Sequence, residues 1–161
     1  MDQQLQKVNE ELIILKKIIE ILKNILTKAG WVSYFSTTMQ SFKTALQSLL
    51  DTSNEIIVID EKLIVLIKEG LEFNETDKKL HLLGLKDETY DFENDILLNF
   101  NDYISQKQQM SIVYKNIISR LIYSGIQYTM STEQQEVYQY LLILFNRWID
   151  IDTLLIISLS V

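Results

Sequence analysis

The chain has 161 residues, enough to build one domain with a real core, and its net charge of −7 argues against a general affinity for nucleic-acid backbones, which is supplied by Lys and Arg. Cysteine is absent, which excludes disulfides, thiolate metal sites and cysteine nucleophiles. Ile, Leu, Lys and Asn are abundant, alanine occurs only at Ala29 and Ala45, and arginine only at Arg120 and Arg147, a bias that suits an AT-rich genome.

Proline is also absent, and the only glycines are Gly30, Gly70, Gly84 and Gly125. Proline breaks helices and glycine readily takes the left-handed conformation that closes them, so long tracts lacking both are expected to run as helix, with the glycines as punctuation. Coding bias accounts for part of that scarcity. The most leader-like stretch, Leu12 to Leu26, is interrupted by Lys16, Lys17, Glu20 and Lys23, which the apolar core of a signal peptide would not carry. The charge-free run Ala29 to Phe42 falls short of the roughly 18 apolar residues of a spanning helix. No leader and no transmembrane helix are expected, which favours a cytoplasmic location.

The first predicted helix covers about 3–28. Its apolar residues Leu5, Val8, Leu12, Leu15, Ile19, Leu22, Leu26 and Ala29 alternate steps of three and four, a heptad seam. Ile14 and Ile21 lie off the seam, while Ile18 and Ile25 widen it. A helix apolar over so much of its circumference is surrounded by neighbours, which favours internal packing over a simple dimeric zipper, although a second chain against Ile14 and Ile21 is the competing expectation.

After a turn at Gly30, Trp31, Phe35, Met39, Phe42, Leu46 and Leu49 predict an antiparallel second helix over 32–51. Ser53, with Glu55 in the first turn, reads as the cap of a third helix over 54–69, ending near Gly70. Two β-rich runs at Ile56 to Ile59 and Leu63 to Ile67 flank Asp60-Glu61-Lys62 and offer a β-hairpin instead. Helical spacing at Ile56, Ile59, Leu63, Ile67 and Leu71, and the lack of an Asn-Gly or Asp-Gly turn, favour helix. A short helix is expected at 76–83.

Residues 87–124 hold one register through Phe92, Ile96, Phe100, Tyr103, Met110, Tyr114, Ile117 and Leu121, either as one helix or broken at the polar stretch Gln106 to Gln109. The last helix, 132–158, begins at the capping box Ser131-Thr132-Glu133-Gln134 and follows Val137, Leu141, Leu144, Trp148, Ile151 and Leu155. Leu154 to Val161 is too apolar to remain free in water and should dock on the body or on a partner.

Candidate chemistry is sparse. His81 is the only histidine, so a histidine-based triad or a multi-histidine metal site cannot be assembled from one chain, and no two glycines lie close enough for a phosphate loop. Asp87, Glu88, Asp91, Glu93, Asp95 and Asp102 form an acidic run in which Glu88, Asp91 and Asp95 share a helical face. Holding Mg²⁺ as all-α nucleotide hydrolases do needs a second carboxylate pair, which Glu10-Glu11 or Glu133 with Glu136 supply only weakly. A solvated helix N-terminus is the favoured reading of that run.

The sequence therefore predicts a single all-α domain over 1–161, a bundle of about five or six helices with long antiparallel, partly coiled-coil-like elements. Hydrophobic residues make up 47% of the chain and charged ones 23%, leaving apolar surface for another chain. The leading functional reading is a non-enzymatic helical interaction protein, an oligomerising scaffold or adaptor, with no catalytic residues, no cofactor, no metal and no direct nucleic-acid contact. Its candidate interaction surface is Ile14, Ile18, Ile21, Ile25, Trp31, Tyr34, Phe35, Tyr128 and Tyr138, since Tyr and Trp are enriched in interface hot spots. One alternative is an acidic inhibitor or immunity protein blocking a basic target. The other is a membrane-active protein that inserts the Ala29 to Phe42 tract or its C-terminal tail.

Overall fold

The computed structural model describes residues 2–37, 40–85 and 97–160, and every described element is helical. The described residues form five α-helices: α1 (Asp2–Thr27), α2 (Ala29–Thr37), α3 (Gln40–Leu82), α4 (Leu97–Tyr123) and α5 (Thr132–Leu159), with a 3₁₀ turn at Ile126–Thr129 before α5. The four long helices form an up-down-up-down bundle in which α1 packs between α3 and α5, and α4 closes the opposite corner. Two side-chain pairings per helix pair fix the directions. Gln4 and Glu11 on α1 meet Ser158 and Trp148 on α5, Ser53 and Asp60 on α3 meet Tyr114 and Lys107 on α4, and Ser111 and Leu121 on α4 meet Asp152 and Tyr138 on α5, so each of these neighbouring pairs is antiparallel.

The segment from Glu55 to Ile67 is helix, not hairpin, and it belongs to a longer element than the spacing predicts. Separate helices over 54–69 and 76–83 are replaced by the 43-residue α3, which also takes in residues 40–51 of the helix expected over 32–51, while 32–37 belong to α2. Its core face, Phe42, Leu46, Leu49, Ser53, Ile56, Asp60, Leu63 and Ile67, keeps steps of three and four through the expected break at Ser53, and Gly70 and Asp77 are buried where the second was expected. Ser53 does not cap a helix there. Its hydroxyl bonds the Leu49 carbonyl one turn back and the Tyr114 hydroxyl across the core, which removes the competition with backbone that would have favoured a cap.

Only two glycines punctuate. Gly84 and Gly125 have positive φ, whereas Gly30 lies inside α2 and Gly70 inside α3. At Gly84 the amide of Leu85 reaches the Leu80 carbonyl and that of Gly84 reaches His81, the double closure of a Schellman end. The α1–α2 break falls at Lys28, whose carbonyl takes the amides of Trp31 and Val32. The capping box at Ser131 and Gln134 is formed in both directions. α4 runs unbroken through 106–109, and the remainder of its predicted span, 87–96, lies outside the described residues.

The core is divided in two. The larger cluster fills the end near α2 and contains Leu15, Ile18, Leu22, Phe35, Leu46, Leu49, Tyr114, Leu141 and Trp148. The smaller one, at the opposite end, contains Val8, Leu63, Ile67, Phe100, Ile104, Leu155 and Leu159. Between them lies a layer of charge.

Candidate functional site

Each long helix delivers one ionisable side chain to the boundary between the two clusters: Glu11 from α1, Asp60 from α3, Lys107 from α4 and Asp152 from α5, all fully buried. They sit where an apolar residue is expected. On α4 the buried positions are Phe100, Ile104, Lys107, Ser111, Tyr114, Ile118 and Leu121, an unbroken three-and-four sequence that passes through the polar stretch. Tyr103, Met110 and Ile117, part of the predicted register, flank that line and are half-buried.

Lys107 Nζ is the centre of the layer. It donates to Glu11 Oε1 at 2.5 Å and to Asp60 Oδ1 at 2.9 Å, and lies 3.5 Å from Asp152 Oδ1. Glu11 Oε1 also accepts from Trp148 Nε1 at 3.3 Å, and Asp152 Oδ1 accepts from Ser111 Oγ at 2.9 Å. Lys115 approaches Asp152 Oδ2 at 3.2 Å from the rim and lies over the Trp148 ring. Three carboxylates thus meet two ammonium groups. The excess negative charge and the surrounding apolar layers decide the protonation.

Burial, reinforced by Asp60 and Asp152 and opposed by Lys107, pushes the Glu11 carboxyl well above the usual carboxylate range. Burial also raises Asp60, against the opposing pull of Lys107. For Lys107 burial alone would lower the value, but Glu11, Asp60 and Asp152 outweigh it and hold the ammonium charged. Both raised carboxyls hold a proton more readily than free ones, which offsets the layer's excess of negative charge. Glu11 Oε2 and Asp60 Oδ2 are buried without a hydrogen-bond partner, where a proton costs less than a second bare charge.

One layer away, the Tyr114 hydroxyl is 2.7 Å from Ser53 Oγ, and burial raises its pKa. Its ring stands edge-on to Trp148 with centroids 4.5 Å apart. The four charged residues were legible only as fragments: Lys107 inside a polar interruption, Asp60 in the turn of the less favoured hairpin, Glu11 in a weak carboxylate pair, and Asp152 unnoticed. The available signal was their position, since each continues the apolar stripe of its own helix.

Most of the residues expected to form an interaction surface are covered within the chain. Ile14, Ile18, Ile25, Trp31, Phe35 and Tyr138 are buried in the larger cluster, and Ile21 and Tyr34 pack against it half-buried. The physical reason is that α1 is flanked by α2, α3 and α5 at once, so its wide apolar face is covered from within the chain. Its most buried line is Val8, Glu11, Leu15, Ile18, Leu22 and Ile25, one step round from the predicted seam, while Leu26 is half-buried and Ala29 exposed. Tyr34 bonds Thr129 and stacks edge-on with Trp31, joining α2 to the turn before α5. Tyr128 alone of the set is at the surface.

Of the acidic run, Asp102 is exposed, and Asp87, Glu88, Asp91, Glu93 and Asp95 lie outside the described residues. Among the described residues no group of three or more acidic or histidine side chains has a geometry that could hold a metal ion, and no helix is long and apolar enough to cross a membrane. The surface feature that spacing did not single out is on α5. Tyr140, Ile143, Leu154 and Ile157 are each 51–58% exposed on its outer face. No family model, curated protein or solved structure matches the chain.

Proposed function

We propose that this chain is a non-enzymatic interaction protein, an assembly module that works by packing helix faces against another chain. The observation that carries this reading is the apolar outer face of α5, a row of large side chains left half open to water on a rigid 28-residue helix. Two shallow grooves run beside it, one at Ile21, Trp31 and Val137 and one at Gln135 and Ile143, and both share Tyr140. The charge layer supports the same reading from the opposite side. Glu11, Asp60, Lys107 and Asp152 are sealed between two apolar clusters, where no substrate has access, and a buried polar layer of this kind suits a role in setting helix register.

The test is native size fractionation of extract from the source cells, with the chain detected by an affinity tag. Migration well above the 18.9 kDa chain mass is expected, and migration as a free monomer overturns the reading. A complex that contains a basic protein and dissolves with salt would instead favour an acidic inhibitor.

A further inference from the structure

The outer face of α5 has a pattern that selects its partner. Tyr140, Ile143, Arg147, Asp150, Leu154 and Ile157 follow one another at steps of three and four, the a and d positions of a heptad. All six are exposed. From Val137 to Ser160 the only charged residues are Arg147, Asp150 and Asp152, and Asp152 is turned into the core. The outer row therefore carries one positive and one negative side chain, side by side at its middle, with apolar side chains on both sides.

We propose that a second copy of this chain covers that face, as an antiparallel two-fold dimer in which Arg147 of each copy meets the partner's Asp150. The register follows from arithmetic on the row. A two-fold axis passing between Trp148 and Ile149 sets Tyr140 opposite Ile157, Ile143 opposite Leu154, and Arg147 opposite Asp150, each pair occurring twice. Every a position then faces a d position, as antiparallel helix pairs require, and the surface is complementary to itself, as a two-fold interface must be. Other arrangements fail on charge. A parallel pair sets Arg147 against Arg147 and Asp150 against Asp150, and an antiparallel slip of one heptad sets Arg147 against Ile157 and Asp150 against Leu154, stranding both charges.

The neighbouring positions permit the approach. Gln139, Asn146 and Thr153 on one flank are uncharged, so nothing repels a second helix at close range. The outer face of α1, by contrast, is lined by Lys16, Lys17, Glu20 and Lys23, all exposed, as a solvated face is.

This inference rests on the assembly reading above, and its test is chosen to fail separately. The purified full chain is followed by light scattering and sedimentation velocity from about one to about one hundred micromolar. The wild type is expected to approach twice the 18.9 kDa chain mass. Arg147→Asp alone and Asp150→Arg alone each place like charges at the centre and should weaken dimerisation at least tenfold, leaving the helical melt unchanged because both positions are exposed. Mixing the two variants should restore a dimer, and the double variant Arg147→Asp with Asp150→Arg should dimerise by itself. A monomeric wild type overturns the proposal, as does a dimer indifferent to the single variants or a mixture that stays monomeric. A monomer that floats with phosphatidylcholine–phosphatidylglycerol vesicles overturns it in favour of a lipid surface. A purified monomer that still migrates in a large assembly in its source cells overturns the two-fold dimer and leaves the assembly reading standing.

Discussion

At the scale of single residues, Lys107 carries the most consequence. Replacing it with Met leaves Glu11, Asp60 and Asp152 facing one another with no ammonium at the centre, and breaking a buried charge group from one side costs about 3–5 kcal/mol. Chemical denaturation of Lys107→Met should show that loss, and a variant within 1 kcal/mol of wild type would mean that water reaches the layer. The same layer predicts an unusual dependence on pH. Glu11, Asp60 and Lys107 all bind protons more tightly in the folded chain than in the unfolded one. Their contribution is complete below the unfolded carboxyl range, about 4. The carboxyl part is lost as pH rises through the elevated folded values, while the Lys107 part stays complete up to the ordinary lysine range, about 10.4, and is lost above it. Melting temperature should therefore fall between mildly acidic and mildly alkaline pH, opposite to a protein held by ionised surface carboxylates. Glu11→Gln, which keeps an acceptor for Lys107 and removes the titration, should flatten that slope, and an unaltered slope would assign it to other groups.

At the scale of elements, the two turns and the two helical glycines respond differently to added side chains. Gly125 has φ of 68° and its missing Cβ would lie 3.6 Å from the Tyr128 ring, so the obstacle is backbone conformation and not space. Gly125→Ala should cost about 1–2 kcal/mol, the penalty for a left-handed residue with a Cβ. Gly30, with no atom within 4 Å of its missing Cβ and a helical setting, should accept Ala with a gain of about 0.5 kcal/mol. Ser131→Ala removes the reciprocal capping bonds with Gln134 and should cost about 1 kcal/mol in thermal denaturation. On α1, joint replacement of Ile14 and Ile21 by Glu should unfold the chain instead of releasing monomers, since Ile14 is buried and Ile21 packs on the same cluster. A well-folded double variant, judged by circular dichroism, would show that α1 is less enclosed than its contacts indicate.

At the scale of the whole molecule, α1 is the shared wall. It contributes Val8 to one cluster and Leu15, Ile18 and Leu22 to the other, and it supplies Glu11 to the layer between them. A chain lacking residues 2–27 leaves one face of α3 and of α5 bare and an unbalanced Lys107, so it should lose its cooperative thermal transition. The intact protein should melt in one step and show a far-ultraviolet spectrum dominated by helix. A fragment that melts cooperatively at the wild-type temperature would mean that α3, α4 and α5 form an independent core.

The all-α class, the antiparallel bundle and the start of α5 were legible in local pattern, because the three-and-four spacing of Phe42, Leu46 and Leu49 or Tyr114 and Leu121, and the box at Ser131, depend on neighbours within one or two turns. Element length was less so. Ser53 and Gly70 resemble helix boundaries locally, and only packing across the bundle, through Tyr114 in the case of Ser53, makes them interior. The charge layer was hidden for a stronger reason. A lysine among glutamines and an aspartate before Glu61-Lys62 look solvated until four helices meet, since a buried charge is tolerated only when its partners arrive from distant parts of the chain. The apolar residues of α1 are covered for the same cause: local spacing shows that a face is apolar, but which neighbours cover α1 and which side of α5 stays open is decided by how the helices surround one another.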